Sequence, residues 1–212
     1  MSYNVAILAF DDLEELDLGG PWEVLQSARE LNNSFDCKIY TPDGNDLTAS
    51  KGMKIGAHGC IENVEHCDIL IVPGGKGVWP LQTDSNFLQH VTRLANTATW
   101  VCSVCTGSFL LASAGLLNGK SCTTYHAYTE KLRKTSLIGE VLDQVRYVVD
   151  GNVLTAAGVS AGIDMSLWLV KKLEGEAFAK NVQRYMEYYP EPPLDEHVLG
   201  SDNGLYSADV NV

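Results

Sequence analysis

Cys105 stands where an apolar run at residues 99–104 meets the pattern of a helix at 109–114, with only Cys105-Thr106-Gly107-Ser108 between them. A strand feeding directly into a helix sets the turn residue at the helix N-terminus. Backbone N–H groups converge there, and the helix dipole contributes about half a positive charge. A thiol at that spot is expected to have a lowered pKa and to act as a nucleophile at neutral pH. Gly107 is the small residue that lets helix and strand approach, as the flanking glycines do in a nucleophile elbow. The same local pattern also describes a core cysteine at a helix start.

Other residues could complete a site around that thiol. Gly74-Gly75 follows an apolar run at 69–72 and can present a backbone N–H to a developing negative charge. Paired with the N–H of Thr106, it would form an oxyanion hole; on its own, Pro73-Gly74-Gly75 is also an ordinary turn. The stretch 11–17 carries five carboxylates, and Asp17, between Leu16 and Leu18, lies closest to the next helix. A partly desolvated carboxylate held near a thiol can act as general acid or base, whereas a solvated loop charge or an N-cap is its structural alternative. Cys102 and Cys105 form a C-x-x-C. Three extended residues separate their Cα atoms by about 10 Å, beyond the reach of a disulfide, so Cys102 reads as core packing. His58, Cys60, His66 and Cys67 fit no zinc spacing, and no metal site is expected. His126 alone reads as a turn or helix-start residue, and Tyr185, Tyr188 and Tyr189 as helix packing or a subunit contact.

The elements that must position these groups alternate. Short β-branched runs at 3–9, 35–41, 69–72 and 99–104 read as strands buried on both faces, with short edge strands within 47–55 and another strand at 121–124. Helices are expected after the acidic loop, with Pro21 near the first turn, and at 87–94, 109–114, 128–133, 163–173 and 176–188. Residues 145–149 and 153–156 form a hairpin through Asp150-Gly151-Asn152. This order implies an α/β fold, a mostly parallel sheet with helices on both faces. Ligands in such folds sit at the carboxyl ends of the strands, where Asp17, Gly75 and Cys105 all fall. Residues 1–189 form one domain, and 190–212, polar and acidic, form an arm or a tail.

The chain has 212 residues and a net charge of −12, which argues against nucleic acid and anionic membranes as partners. No apolar run is long enough to span a bilayer, and the first residues read as a strand rather than a signal peptide. The six cysteines are therefore expected to be free thiols in the cytoplasm.

Three ordered motifs resemble the ThiJ/PfpI superfamily: 16–24 (Leu-Asp-Leu-Gly-Gly-Pro-Trp-Glu-Val), 72–75 (Val-Pro-Gly-Gly), and 103–107 (Ser-Val-Cys-Thr-Gly) with the following 110–117. Gly158 to Asp164, opening a late helix, fits too. The resemblance covers about residues 3–188 and implies a flavodoxin-like three-layer sandwich and a homodimer. The Leu-Asp-Leu-x-Gly-Pro loop paired with Cys-Thr-Gly is similar to the isonitrile hydratase branch, whose members add water to an isocyanide without a cofactor. That likeness implies Cys105 as the attacking thiolate, Asp17 as proton shuttle, Thr106 as a contact to water or substrate, and Gly75 as an N–H donor. The substrate would be a small electrophile. Thr106 stands where the protease-like branch has histidine, and Gly158 to Asp164 lacks the histidine of glutamine amidotransferases. A glyoxalase or deglycase-type reading would use Glu23 and His126. A third reading is a non-enzymatic domain that senses a ligand or oxidation through Cys105.

Overall fold

The computed structural model describes residues 2–135, 137–191 and 207–210. Strand β1 (Tyr3–Leu8) leads into α1 (Glu15–Asn32) and β2 (Phe35–Thr41). Three two-residue strands follow: β3 (Leu47–Thr48), β4 (Lys54–Ile55) and β5 (Gly59–Cys60). Next come β6 (Ile69–Val72), α2 (Val78–Leu81), α3 (Ser85–Ala95), β7 (Trp100–Val104), α4 (Gly107–Ser113) and α5 (Thr129–Arg133). The chain continues through β8 (Tyr147–Asp150), β9 (Val153–Ala156), α6 (Ala161–Glu174), α7 (Glu176–Tyr185) and β10 (Ser207–Val210).

Eight strands form one sheet in the order β10-β8-β9-β7-β6-β1-β2-β5, and only the β8–β9 pair is antiparallel. The central strands are continuous apolar runs because both faces are covered: all four residues of β6 are buried, as are the last four of β1. Helices α1, α6 and α7 pack together on one face, and α2, α3 and α4 on the other. The result is the expected three-layer α/β sandwich. The carboxyl ends of β1, β6 and β7 are neighbours in the sheet, so the segments that follow them meet at one edge.

Local differences from the sequence reading have identifiable causes. The acidic segment is not all loop: α1 begins at Glu15, and Glu15 and Asp17 lie in its first turn, where negative charge favours the dipole. Pro21 therefore sits inside the helix, where it removes the N–H that would have bonded the carbonyl of Asp17. Residues 121–124 do not form a strand. Cys122 makes one bridge to Val141, and the N–H of Thr123 goes to the Thr155 hydroxyl instead of a neighbouring backbone. Helix α7 stops at Tyr185, before Glu187 adopts a left-handed φ of 49°. Ser207–Val210 add a parallel strand beside β8, so this part of the expected arm lies on the sheet; residues 192–206 and 211–212 lie outside the described residues.

Two close approaches bring the site together. A Cβ on Gly107 would lie 2.2 Å from the carbonyl oxygen of Val72, so only glycine lets α4 start against β6. On the other face, a Cβ on Gly162 would lie 3.2 Å from Pro21 Cδ and 3.1 Å from Val104 Cγ2, which sets the close crossing of α1 and α6 beside β7.

Candidate active site

Cys105 joins β7 to α4 with a φ of 56°, a left-handed conformation that costs a non-glycine residue about 1–3 kcal/mol and needs outside support. Its backbone N–H is shared between the carbonyls of Ala156 (3.1 Å) and Ala157 (2.8 Å). Its carbonyl accepts from the hydroxyls of Thr124 (2.9 Å) and Ser108 (3.2 Å). The side chain is almost entirely buried, yet it borders a cavity of about 350 Å³. Trp79, Tyr125 and Tyr128 form an aromatic wall of that cavity, with Trp79 and Tyr128 ring centres 5.1 Å apart. Exposed Lys51 and Lys76 line its rim.

Asp17 reaches the same place from α1 and is completely buried. Its Oδ2 accepts the N–H of Gly74 at 3.0 Å, and its Oδ1 has no hydrogen-bond partner of the ordinary kind. The carboxyl and the Cys105 thiol interact directly as an acid pair. Burial pushes Asp17 from its ordinary 3.8 up to about 7, helped by the charge of Glu14 and opposed by the Gly74 N–H. Burial likewise pushes the Cys105 thiol up to about 12, and the Asp17 charge adds to the rise. The N–H groups of Thr106 and Val159 face the sulfur and favour its anion.

This overturns the expectation of a thiol acidified by its helix. The helix α4 is only seven residues long, and desolvation beside a carboxylate outweighs its dipole. The pair nevertheless holds a single proton between pH about 7 and about 12, either as thiol and carboxylate or as thiolate and carboxylic acid. Asp17 can therefore receive the thiol proton as sulfur attacks, which is general-base chemistry without a permanently ionised thiol.

The expected oxyanion hole is also rearranged. The Gly75 N–H donates to Thr106 Oγ1 at 2.9 Å, and the Gly74 N–H is taken by Asp17. Neither glycine donor is free for a substrate. Thr106 also donates its hydroxyl to the Gly75 carbonyl at 3.3 Å, so its side chain braces the 74–75 loop. A Cβ on Gly74 would lie 2.5 Å from Thr106 N and 2.9 Å from Asp17 Oδ2, so the motif Pro-Gly-Gly is demanded by this packing. The free backbone donors near the sulfur come instead from Thr106 and Val159. Val159 precedes α6 with a φ of 46°.

Thus Cys105, Asp17, Thr106 and Gly75 come together, while Glu23 and His126 do not. Glu23 is exposed on α1, and His126 is exposed beside a separate cavity of about 280 Å³ lined by Thr123, Thr124 and Gln144. The sequence reading missed Val159, the aromatic wall and the clamp of Lys51 onto Glu14 and Glu15. The run Gly158-Val159-Ser160 before a helix was the one available signal for Val159. Among the described residues, no group of three or more acidic, histidine or cysteine side chains is arranged to hold a metal ion. Nor is any helix there long and apolar enough to cross a membrane.

Comparison with known proteins places the chain in a family. Residues 3–172 match the profile of the DJ-1/PfpI family. An isonitrile hydratase of Pseudomonas putida is 38% identical over 211 residues, spanning 100% of this chain and 88% of that protein. The HTH-type transcriptional regulator GbdR of Pseudomonas aeruginosa is 27% identical; the match spans 94% of this chain but only 56% of the regulator. A THiJ/PfpI family protein from Pseudomonas syringae superposes with a TM-score of 0.84 at 27% identity, over 92% of this chain and 78% of that one. Drosophila melanogaster DJ-1beta, at 19% identity and a TM-score of 0.78, covers 90% of this chain and 100% of its own, and shares the fold.

Proposed function

The chain belongs to the DJ-1/PfpI family, and from that premise we propose that it is a cofactor-independent cysteine hydratase that converts an isocyanide and water into an N-substituted formamide. The observation that carries the reading is the buried Asp17 carboxyl set against Cys105 at the cavity, in a chain similar along its whole length to an isonitrile hydratase.

In the proposed reaction, Asp17 takes the thiol proton as sulfur bonds to the isocyanide carbon. The proton is then delivered to that carbon, giving a thioimidate, R–N=CH–S–Cys105. Water adds to the C=N carbon while the nitrogen is protonated, and Asp17 passes the proton between them. The tetrahedral adduct collapses to R–NH–CHO and releases the sulfur, which regains its proton from Asp17. The N–H groups of Thr106 and Val159 stabilise the departing thiolate. The net change is addition of one water molecule, with no electrons gained or lost. Thr106 acts through its backbone N–H and by bracing Gly75, rather than through a free hydroxyl.

The aromatic wall suits an apolar R group, and cyclohexyl isocyanide is a suitable first substrate. Formamide should accumulate with the wild-type protein and not with Cys105→Ala; fully reduced protein that yields none would refute the assignment. The carbonyl alternative is disfavoured because Glu23 and His126 do not reach this cavity. The proposed working state is a homodimer in the cytoplasm, where the six cysteines stay reduced.

A further inference from the structure

Cys105 cannot hold its left-handed backbone alone, and the contacts that hold it differ in kind. The Ser108 hydroxyl lies one turn along α4 and moves with that helix. Thr124 comes from the segment between α4 and α5, 19 residues away, and its buried hydroxyl donates to the Cys105 carbonyl at 2.9 Å. This carbonyl and the Thr106 N–H belong to the same planar peptide unit and point in opposite directions. Fixing the oxygen therefore fixes the direction of the N–H, which faces the Cys105 sulfur. A hydrogen bond received at the oxygen also polarises the unit and strengthens its N–H as a donor.

We propose that Thr124 is a positioning residue: its hydroxyl anchors the peptide between Cys105 and Thr106 to the body of the protein and so aims that peptide's N–H at the nucleophilic sulfur. The neighbouring contacts support this assignment. The Thr123 N–H is tied to the Thr155 hydroxyl at 2.8 Å, and the Thr123 hydroxyl to the Leu142 carbonyl at 2.8 Å, so the segment carrying Thr124 is itself held in place. Thr124 lines the smaller cavity behind the turn, together with Ala157, whose carbonyl receives the Cys105 N–H. Both ends of the strained residue are thus gripped by residues that line a cavity other than the one Cys105 borders. The ionisable groups acting on the sulfur from other elements are Asp17 directly, with Glu14 and Lys51 acting on Asp17; none of them contacts Thr124.

The inference rests on Cys105 being the nucleophile, and its test separates the two ideas. Alkylation of Cys105 by iodoacetamide is followed across pH by peptide mass spectrometry in the wild type, Thr124→Val and Thr124→Ser, with isocyanide turnover measured in parallel. Thr124→Val preserves the side-chain shape and removes the hydroxyl. At pH 8 its Cys105 should be alkylated about threefold to tenfold more slowly than in the wild type, and kcat should fall about threefold to tenfold with KM unchanged. Thr124→Ser should restore both. A Thr124→Val protein that keeps the wild-type alkylation rate and kcat, or one that only melts earlier, overturns the positioning role. If the wild-type protein forms no formamide, the nucleophile assignment itself falls and this inference falls with it.

Discussion

At the residue scale the proposed chemistry depends on one proton shared by two buried acids. Asp17 leaves water completely, and its folded value of about 7 lies far above its ordinary 3.8. Between those values the folded chain holds a proton that the unfolded chain has released. Stability therefore falls as pH rises from about 4 to about 7, and the cost remains above that window. Asp17→Asn keeps an acceptor for the Gly74 N–H without the charge. Thermal unfolding at pH 8 should show it more stable than wild type by up to about 4 kcal/mol, an upper figure at about 1.36 kcal/mol per pH unit. At pH 4 the difference should largely vanish. The same variant should lose about a hundredfold or more in kcat, measured as formamide release. In the wild type, kcat/KM should rise through pH about 7 as Asp17 gives up its proton, and that limb should be absent in Asp17→Asn. Cys105 and Asp17 were legible as candidates because their residue types and flanking patterns were unusual. Their ionisation was not, because it is decided by burial and by each other, and neither quantity appears in a local motif.

At the element scale the site depends on how closely α1, α6, β7 and α4 approach. The strands β2, β6, β8 and β9 follow from β-branched runs and turn residues, because both faces of such strands are covered and the run itself is the signal. The start of α1 is not legible in the sequence because acids are as suited to a helix N-terminus as to a loop. The edge strand β5, two residues long, carries no periodicity that could reveal it. Gly162 is the element-level test. A side chain there would press on Pro21 and Val104, with first contacts at 3.1–3.3 Å. Gly162→Val should lower stability by about 1–3 kcal/mol through overpacking, seen as a lower denaturation midpoint in urea. It should also lower kcat, because α1 carries Asp17 and the turn before α6 carries Val159. An unchanged urea midpoint would show that the crossing has slack.

At the scale of the whole molecule, the sheet gathers distant segments at one edge. Segments following β1, β6, β7 and β9 supply Asp17, Gly74, Cys105 and Val159, although they span more than half the chain. The fold class and the edge that bears the site were readable from the alternation of strands and helices. The aromatic wall was not, since Trp79, Tyr125 and Tyr128 meet only after folding and each looks locally like helix packing. The strand β10 lies at the end of the sheet, separated from β7 by β8 and β9. Ending the chain at residue 191 should therefore leave kcat/KM within about twofold while lowering the melting temperature.

The most direct test of the central claim is intact-mass spectrometry of protein acid-quenched during turnover of cyclohexyl isocyanide. Addition of Cys105 S–H across the isocyanide carbon predicts a transient adduct equal to the full mass of one isocyanide, mapped to Cys105 and missing from Cys105→Ala. Formamide produced by Cys105→Ala at the wild-type rate, or turnover with the mass found on another residue, would contradict it.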